Sequence, residues 1–424
     1  MLLKKSNAWL WIPSLYFASG LPYHAITSIS DIMYKDMGID NAQIALYTSI
    51  LLFPWTIKPL WSPFVEMIGT RRKWTIMSQM LLALSFITVA LFIPTGNFLP
   101  LTLAMFMIGA FVSSTHDIAL DGFYILALPQ EKQSFFSGIR NTFYRIATVF
   151  SSGILVMLAN KLGEAYGNKA WAWSSTFITI AIIMAALFLY HRKALPAPEA
   201  DTARSTNGIK DIFANFGDII KSYFNKKGIA STILFLLLFR FPEAQLGKIG
   251  KLFLMDSAAE GGMALSLADI GFINGVIGIA GLIIGGIAGG ICISRKGLKF
   301  WLWPMVIAIS LPDIVYVYLS MAMPENITLI GSCIFIEQLG YGFGFTAYTL
   351  YMIYFAQGKY PTAHFAISTA FMSLGMMLPG MISGKIQKLL GYENFFIWIT
   401  ACTVITFAVS AFIKIDPSFG KRQK

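Results

Sequence analysis

The chain is a succession of apolar runs, each about twenty residues or longer, separated by short gaps that hold most of its charge. Roughly 20 apolar residues in a helix cross the hydrocarbon core of a bilayer. Within that core every backbone N–H and C=O needs an internal partner, so runs of this kind fold as helices. The alternating ten-residue segments of a membrane barrel are absent. Composition agrees, because 56% of the 424 residues are hydrophobic and only 12% are charged, where a soluble domain carries roughly 25% charge. The sequence therefore predicts an all-α membrane protein. Its runs fall near 8–33, 42–65, 74–94, 100–128, 135–160 and 170–190. After a polar stretch, 191–228, six more lie near 229–255, 266–293, 300–323, 326–355, 364–389 and 395–415. That is twelve transmembrane helices in two six-helix halves, 1–193 and 229–424, joined by a linker over 194–228.

The net charge of +11 is distributed as a membrane protein distributes it, which argues against a nucleic-acid partner. Arg71, Arg72 and Lys73 fall between the second and third runs. Arg192, Lys193, Lys221, Lys226 and Lys227 belong to the linker region, and Lys421, Arg422 and Lys424 close the chain. With Lys4 and Lys5 these lie on one side, so both termini and the linker are expected in the cytoplasm. The first run lacks a small-residue cleavage site and reads as an uncleaved span. Cys292, Cys333 and Cys402 are odd in number and lie inside apolar runs, as packing residues rather than a disulfide framework. In the linker, Ile209, Ile212, Phe213, Phe216, Ile219, Ile220, Tyr223 and Phe224 recur at three and four. They form an amphipathic helix expected on the inner membrane face.

The two halves share landmarks. Pro22 and Pro242, and likewise Asp117 and Glu337, are 220 positions apart, as a duplicated six-helix unit predicts. In the eighth run Gly271, Gly275, Gly281, Gly285 and Gly289 give a surface on which another helix can approach closely.

Chemistry is confined to a few polar groups inside the runs. There is no phosphate-binding GxxxxGK[ST] loop, no metal-ligand cluster and no converging nucleophile motif, so an enzyme is not expected. A carboxylate at bilayer depth costs about 2.5–3.5 kcal/mol on insertion scales and is retained there for function. Asp117, Glu243 and Glu337 are therefore the proton-coupling candidates. Asp121 shares the face of Asp117 four residues away. Arg140 and Arg145 lie on the next run at the depths of Asp121 and Asp117, which makes Asp121–Arg140 a gate or structural pair and Asp117–Arg145 a deeper one. Arg240 and Glu243, three apart, can pair on one helical face. Arg145, Arg240, His24, Tyr23, Tyr144 and Gln338 are the substrate-binding candidates, since arginines grip anions in bidentate fashion. Tyr16, Phe143, Phe239, Tyr341, Phe345 and Tyr348 extend that aromatic set.

Several stretches carry a family resemblance. Glu66–Met–Ile–Gly69–Thr–Arg71–Arg72–Lys73 resembles the loop signature of the major facilitator superfamily, with Glu66 where Asp is usual. Glu66, Arg71 and Arg72 thereby become gate or structural candidates. Phe17–Ala–Ser–Gly–Leu–Pro22, Lys58–Pro–Leu–Trp–Ser–Pro63, Asp117–Ile–Ala–Leu–Asp121 and Phe335–Ile–Glu337–Gln–Leu–Gly–Tyr–Gly–Phe–Gly344 resemble the AmpG muropeptide permeases and the related acetyl-coenzyme A transporters. The likeness implies the major facilitator fold in a bacterial inner membrane. It also implies proton-driven import of anhydro-muropeptides or related cell-wall sugar-peptides, by alternating access around a site between the halves. The family's acidic positions on the fourth helix match Asp117 and Asp121. Two positions depart from the pattern: Gly122–Phe–Tyr–Ile–Leu126 is apolar where a basic and an acidic residue are usual, and Glu243 stands for Asp. Import of another organic anion or oligosaccharide, and a non-transporting membrane receptor, are the alternatives. The expected partners are a small-molecule substrate and the lipid bilayer, with no nucleic acid, no cofactor beyond the proton gradient and a monomeric chain.

Overall fold

A computed structural model describes residues 7–421 apart from 68, 129, 200 and 202–208. Side chains at 63, 64, 66, 67, 130–135, 137, 138, 209–215 and 362 also lie outside the described set. The side chain of Glu66 is among these. The regular elements among the described residues are all helices, with no strand. Nine of the described helices are long and apolar enough to cross a membrane. One of them, over Ala363–Phe412, is broken at Gly391, whose φ of 74° lies outside helical space.

The first two predicted runs are helical but interrupted. Helix α1 (Ile12–His24) passes through a wider π-helical stretch, Ala25–Ile29, into α2 (Ser30–Asp36). Pro22 inside α1 removes an amide donor from the ladder. Just beyond it, the Thr27 and Ser30 hydroxyls donate to the carbonyls of Tyr23 and Ile26 at 2.8 and 2.5 Å. The second run divides into α3 (Asn41–Ile50) and α4 (Phe53–Met67).

The chain forms two compact units, one of residues 1–37 and 57–212, the other of residues 38–56 and 213–424. In the first, α5 (Arg71–Phe92) packs against α6 (Phe98–Ala127) and α9 (Lys169–Ala194), while α1 packs on α7 (Gln130–Val149). α8 (Val156–Tyr166) follows α7 after a second π-helical stretch, Phe150–Leu155. A buried polar chain crosses this packing. Ser14 Oγ lies 2.9 Å from His191 Nε2, His191 Nδ1 2.9 Å from Gln79 Oε1, and Gln79 Nε2 3.1 Å from His116 Nε2. His191 was expected to open the polar linker; it is instead the buried last turn of α9. The last turn of that helix and the linker then organise the basic signature. Asp201 accepts the backbone N–H groups of Arg71 and Arg72 at 2.8 and 2.9 Å, placing a carboxylate at the positive end of α5. The Arg72 guanidinium donates to the carbonyls of Arg192 and Leu195 at 2.7 and 3.2 Å.

In the second unit, the linker helix α10 (Ile209–Phe224) does more than lie on a lipid surface. Its last turn buries Tyr223 against Phe355 and Ile367, and Tyr223 bonds Ser368 at 3.0 Å. α11 (Ile229–Leu238) and α12 (Phe241–Met255) are separated by a break at Phe239 and Arg240, immediately before Pro242. α13 (Leu267–Phe272) leads into α14 (Ile279–Lys296). α15 (Leu298–Ser310) and α16 (Ile314–Ala322) are separated by a tight turn at Leu311–Asp313 containing Pro312. α17 (Ile327–Ala356) runs unbroken, and α18 (Pro361–Phe412) follows.

The close packing of α17 sets the geometry of this unit. On one face, a Cβ at Gly285 of α14 would sit 2.1 Å from the Leu339 carbonyl oxygen. On the other, a Cβ at Gly340 would sit 2.1 Å from the Ala308 carbonyl oxygen of α15. Neither gap admits a side chain, so α14 and α15 touch α17 backbone to backbone. α3 packs on α18 in the same unit. Its Asn41 amide donates to Asp256 and Tyr392 at 2.8 Å each, and Tyr392 donates to Asp256. Ahead of it, Asp40 caps α3 through the Ala42 N–H. Partial burial pushes the Asp40 carboxyl up, but Lys388 at 3.2 Å and the helix amides outweigh it and hold the group below the usual range.

Two substitutions test this packing. Gly340→Ala should destabilise the protein by about 1–3 kcal/mol, the usual cost of overpacking, read as a lowered midpoint in thermal unfolding in detergent. Asp201→Ala should cost about 0.5–2 kcal/mol, and Asp201→Asn should recover part of it; equal stability of all three proteins would remove the cap from the account.

Candidate functional site

The prolines that break α11–α12 and α15–α16 place two acids at helix starts. Glu243 lies in the first turn of α12, directly after Pro242. Asp313 lies at the start of α16, directly after Pro312, and its carboxylate caps nothing. Glu337 lies in the middle of α17, one turn before Gly340. Gly340 lies against Ala308 and Pro312, which brings the Asp313 turn up to α17 beside Glu337. One carboxylate oxygen from each of Glu243, Asp313 and Glu337 falls within 4.8 Å of the others.

All three are buried, with 7%, 2% and 3% of their surface exposed. Glu337 accepts from the neighbouring Gln338 amide at 2.9 Å. Both oxygens of Asp313 and Oε2 of Glu243 have no hydrogen-bond partner. Discontinuous membrane helices aim their half-helix N-termini and unpaired polar groups at ligands in this way. Three ionised carboxylates this close repel one another, and a buried set of that kind is held by compensating positive charge. Tyr316 on α16 lies in the electrostatic field of all three acids.

Arg240 does not form the pair with Glu243 that their spacing permits. The rule for residues three apart holds inside a helix, and Arg240 precedes α12 in a non-helical conformation (φ −102°, ψ 19°). Its guanidinium instead donates to the Tyr341 hydroxyl at 2.5 Å and lies 5.1 and 4.9 Å from the ring centres of Tyr341 and Phe345. Arg240 is buried, and its Nε has no acceptor. Of the aromatic set, Phe239 and Tyr348 are core residues stacked at 5.0 Å.

The first unit holds the other sequence candidates. Ser19 Oγ donates to Asp117 at 2.6 Å, joining α1 to α6. Asp121 and Arg140 meet at 3.7 Å, as expected, with side chains 52% and 33% exposed. Arg140 also donates to Tyr16 at 3.3 Å and lies over the rings of Tyr16 and Tyr124. His24 Nε2 lies 2.7 Å from the Thr148 hydroxyl, with Tyr23 and Tyr144 edge-on at 5.1 and 5.8 Å. Arg145 stands on α7.

Asp313 escaped the sequence reading. Its signal was the one that exposed Asp117, an acid inside an apolar run, here beside a proline in 300–323. Its closeness to Glu243 and Glu337, 70 positions before it and 24 after, has no sequence signature. For the same reason the sequence pattern showed no ligand cluster, whereas the fold assembles a set of three carboxylates from three distant runs.

The architecture and its relatives agree. A Rickettsia felis protein named "Putative transporter AmpG 4" is 27% identical over 395 residues, covering 91% of each chain. The anhydromuropeptide permease of Escherichia coli K12 is 23% identical over 396 residues, 92% of this chain and 76% of that one. Among solved structures, the nucleoside transporter NupG superposes with a TM-score of 0.70 at 16% identity, covering 97% of this chain and 100% of that one. A POT family transporter in complex with a thioalcohol-conjugated peptide superposes with a TM-score of 0.72 at 12% identity, covering 95% of each. The family model of the Major Facilitator Superfamily matches residues 14–384. This chain, with its apolar multi-pass helices and no enzyme motif, belongs to the major facilitator superfamily of membrane transporters.

Proposed function

We propose that the protein imports anhydro-muropeptides, or related cell-wall sugar-peptides, across a bacterial inner membrane, driven by the proton gradient. Both termini face the cytoplasm in this reading, and the chain acts as a monomer. The observation that carries the coupling is the buried carboxylate cluster of Glu243, Asp313 and Glu337. A cluster that needs positive charge to stay buried is a seat from which a proton is taken up on one side and lost on the other. Asp117 is a second coupling candidate, held ready by Ser19.

The cargo class comes from the relatives at 23–27% identity that carry the AmpG and anhydromuropeptide permease names. Arg240 supports it chemically. A guanidinium held against Tyr341 and Phe345 is a positioned cation for a carboxylate such as a sugar-peptide carries. In the first unit Tyr23, Tyr144 and His24 offer ring faces and an edge for a sugar; in the second, the Gln338 amide donates to Glu337. The acid cluster favours a transporter over a non-transporting receptor, because a receptor gains nothing from three buried carboxylates.

Purified protein in liposomes should accumulate labelled anhydro-muropeptide when the outside is acidic, and should stop when the gradient is dissipated. Uptake of a different organic anion or oligosaccharide in its place would overturn the cargo. Glu337→Gln and Asp117→Asn should each reduce gradient-driven accumulation at least tenfold, with protein recovered folded by size-exclusion chromatography. Unchanged accumulation in either would remove that residue from coupling. Arg240→Lys, which keeps the charge and loses the planar fork, should raise the half-saturating cargo concentration several-fold while leaving the maximal rate within about twofold.

A further inference from the structure

We propose that Glu243, Asp313 and Glu337 form a binding site for one monovalent metal cation of sodium size, taken in place of the proton. The inference rests on the transport reading only in that the ion would then be an alternative coupling ion; the site itself is argued from its geometry.

The donor set consists of carboxylate oxygens alone, the chemistry of hard cations rather than of zinc or copper. Two oxygens on opposite sides of a cation are at most twice the metal–oxygen distance apart. For metal–oxygen distances of about 2.3–2.6 Å that limit is about 4.6–5.2 Å, and for magnesium it is about 4.2 Å. A cluster whose oxygens lie within 4.8 Å of one another is narrow enough for its three oxygens to share a single ion of that size.

Burial decides the charge. The three side chains are 2–7% exposed, so an ion entering here sheds most of its water. Born desolvation rises with the square of the charge, which makes a divalent ion about four times as costly to dehydrate as a monovalent one. A monovalent ion taken in exchange for one proton leaves the net charge of the buried cluster unchanged, whereas a divalent ion requires two protons to leave.

Acid groups in a cluster do not by themselves make a site. Here Asp313, 2% exposed, has neither oxygen hydrogen-bonded, and Oε2 of Glu243 is likewise unspent. Asp313 stands at a helix start where it could have capped α16 and does not. Arg240, just before the first turn of α12, acts on Glu243 through its field alone, because its guanidinium is turned to Tyr341 and Phe345. The cluster is thus built and charged, and its lone pairs are available.

The test is sodium binding by the purified full-length protein in detergent, without cargo, at fixed pH and ionic strength, with choline chloride as the reference salt. Equilibrium dialysis with radioactive sodium should show one saturable site per chain. Saturating sodium should raise the thermal midpoint by about 3 °C or more, as linkage predicts for a ligand bound only to the native state. Potassium and magnesium should give less than half that rise. Asp313→Asn and Glu337→Gln should each abolish saturable binding, while Glu260→Gln, an exposed acid outside the cluster, should leave it unchanged. Should Asp313→Asn fail to fold, Glu337→Gln and the dialysis on the unaltered protein carry the test. No saturable sodium binding, binding retained in Glu337→Gln, or a response to calcium alone would overturn the proposal. The result is independent of muropeptide uptake, so failure of one experiment leaves the other standing.

Discussion

Like-charge repulsion in a dry interior is the constraint around which the second unit is arranged. Two unit charges no more than 4.8 Å apart repel by at least on the order of 3 kcal/mol at an effective dielectric near 20. Three such pairs outweigh what any one helix contact returns. The fold nonetheless holds the acids together with rigid backbone. Gly285 and Gly340 let α14 and α15 lie directly against α17. Pro242 and Pro312 stop the ladders of their runs where an acid follows. The prolines place Glu243 and Asp313 at helix starts, and Gly340, lying against Ala308 and Pro312, sets the approach of the Asp313 turn to α17. In the proposed reading a proton or a cation would supply part of the charge that offsets this repulsion, and its arrival and departure would change the energy of the unit.

The first unit treats its charges differently. Asp121 and Arg140 remain partly exposed and meet at 3.7 Å, a geometry worth less than about 1 kcal/mol and therefore easily opened. Asp117, one turn deeper, spends a hydrogen bond on Ser19. Two acids on one helical face thus have a loose pairing and a tight one. In the same unit the Ser14–His191–Gln79–His116 chain pairs polar side chains across α1, α9, α5 and α6.

Much of this was legible because burying charge is expensive. Asp117, Glu243 and Glu337 stand out in the sequence for that reason alone, and the helices appear where the apolar runs are. The same rule, applied to the acid after Pro312, would have found Asp313. Where local rules failed, a helix had been interrupted or extended. Arg240 and Glu243 have the spacing of a pair, but the chain is not helical at Arg240. His191 looks like the first residue of a polar loop, but α9 runs past it and buries it.

Hydropathy, basic gaps and motif spacing determined the helical membrane fold and the family, because each is a property of residues near one another in the chain. Residues 38–56 joining the second unit, Asp201 seated on the end of α5, and the meeting of Glu243, Asp313 and Glu337 were decided only in three dimensions. Contacts between helices distant in sequence are set by how closely their backbones approach. That distance depends on pairs of surfaces, such as Gly340 against Ala308, which no single stretch of the chain contains.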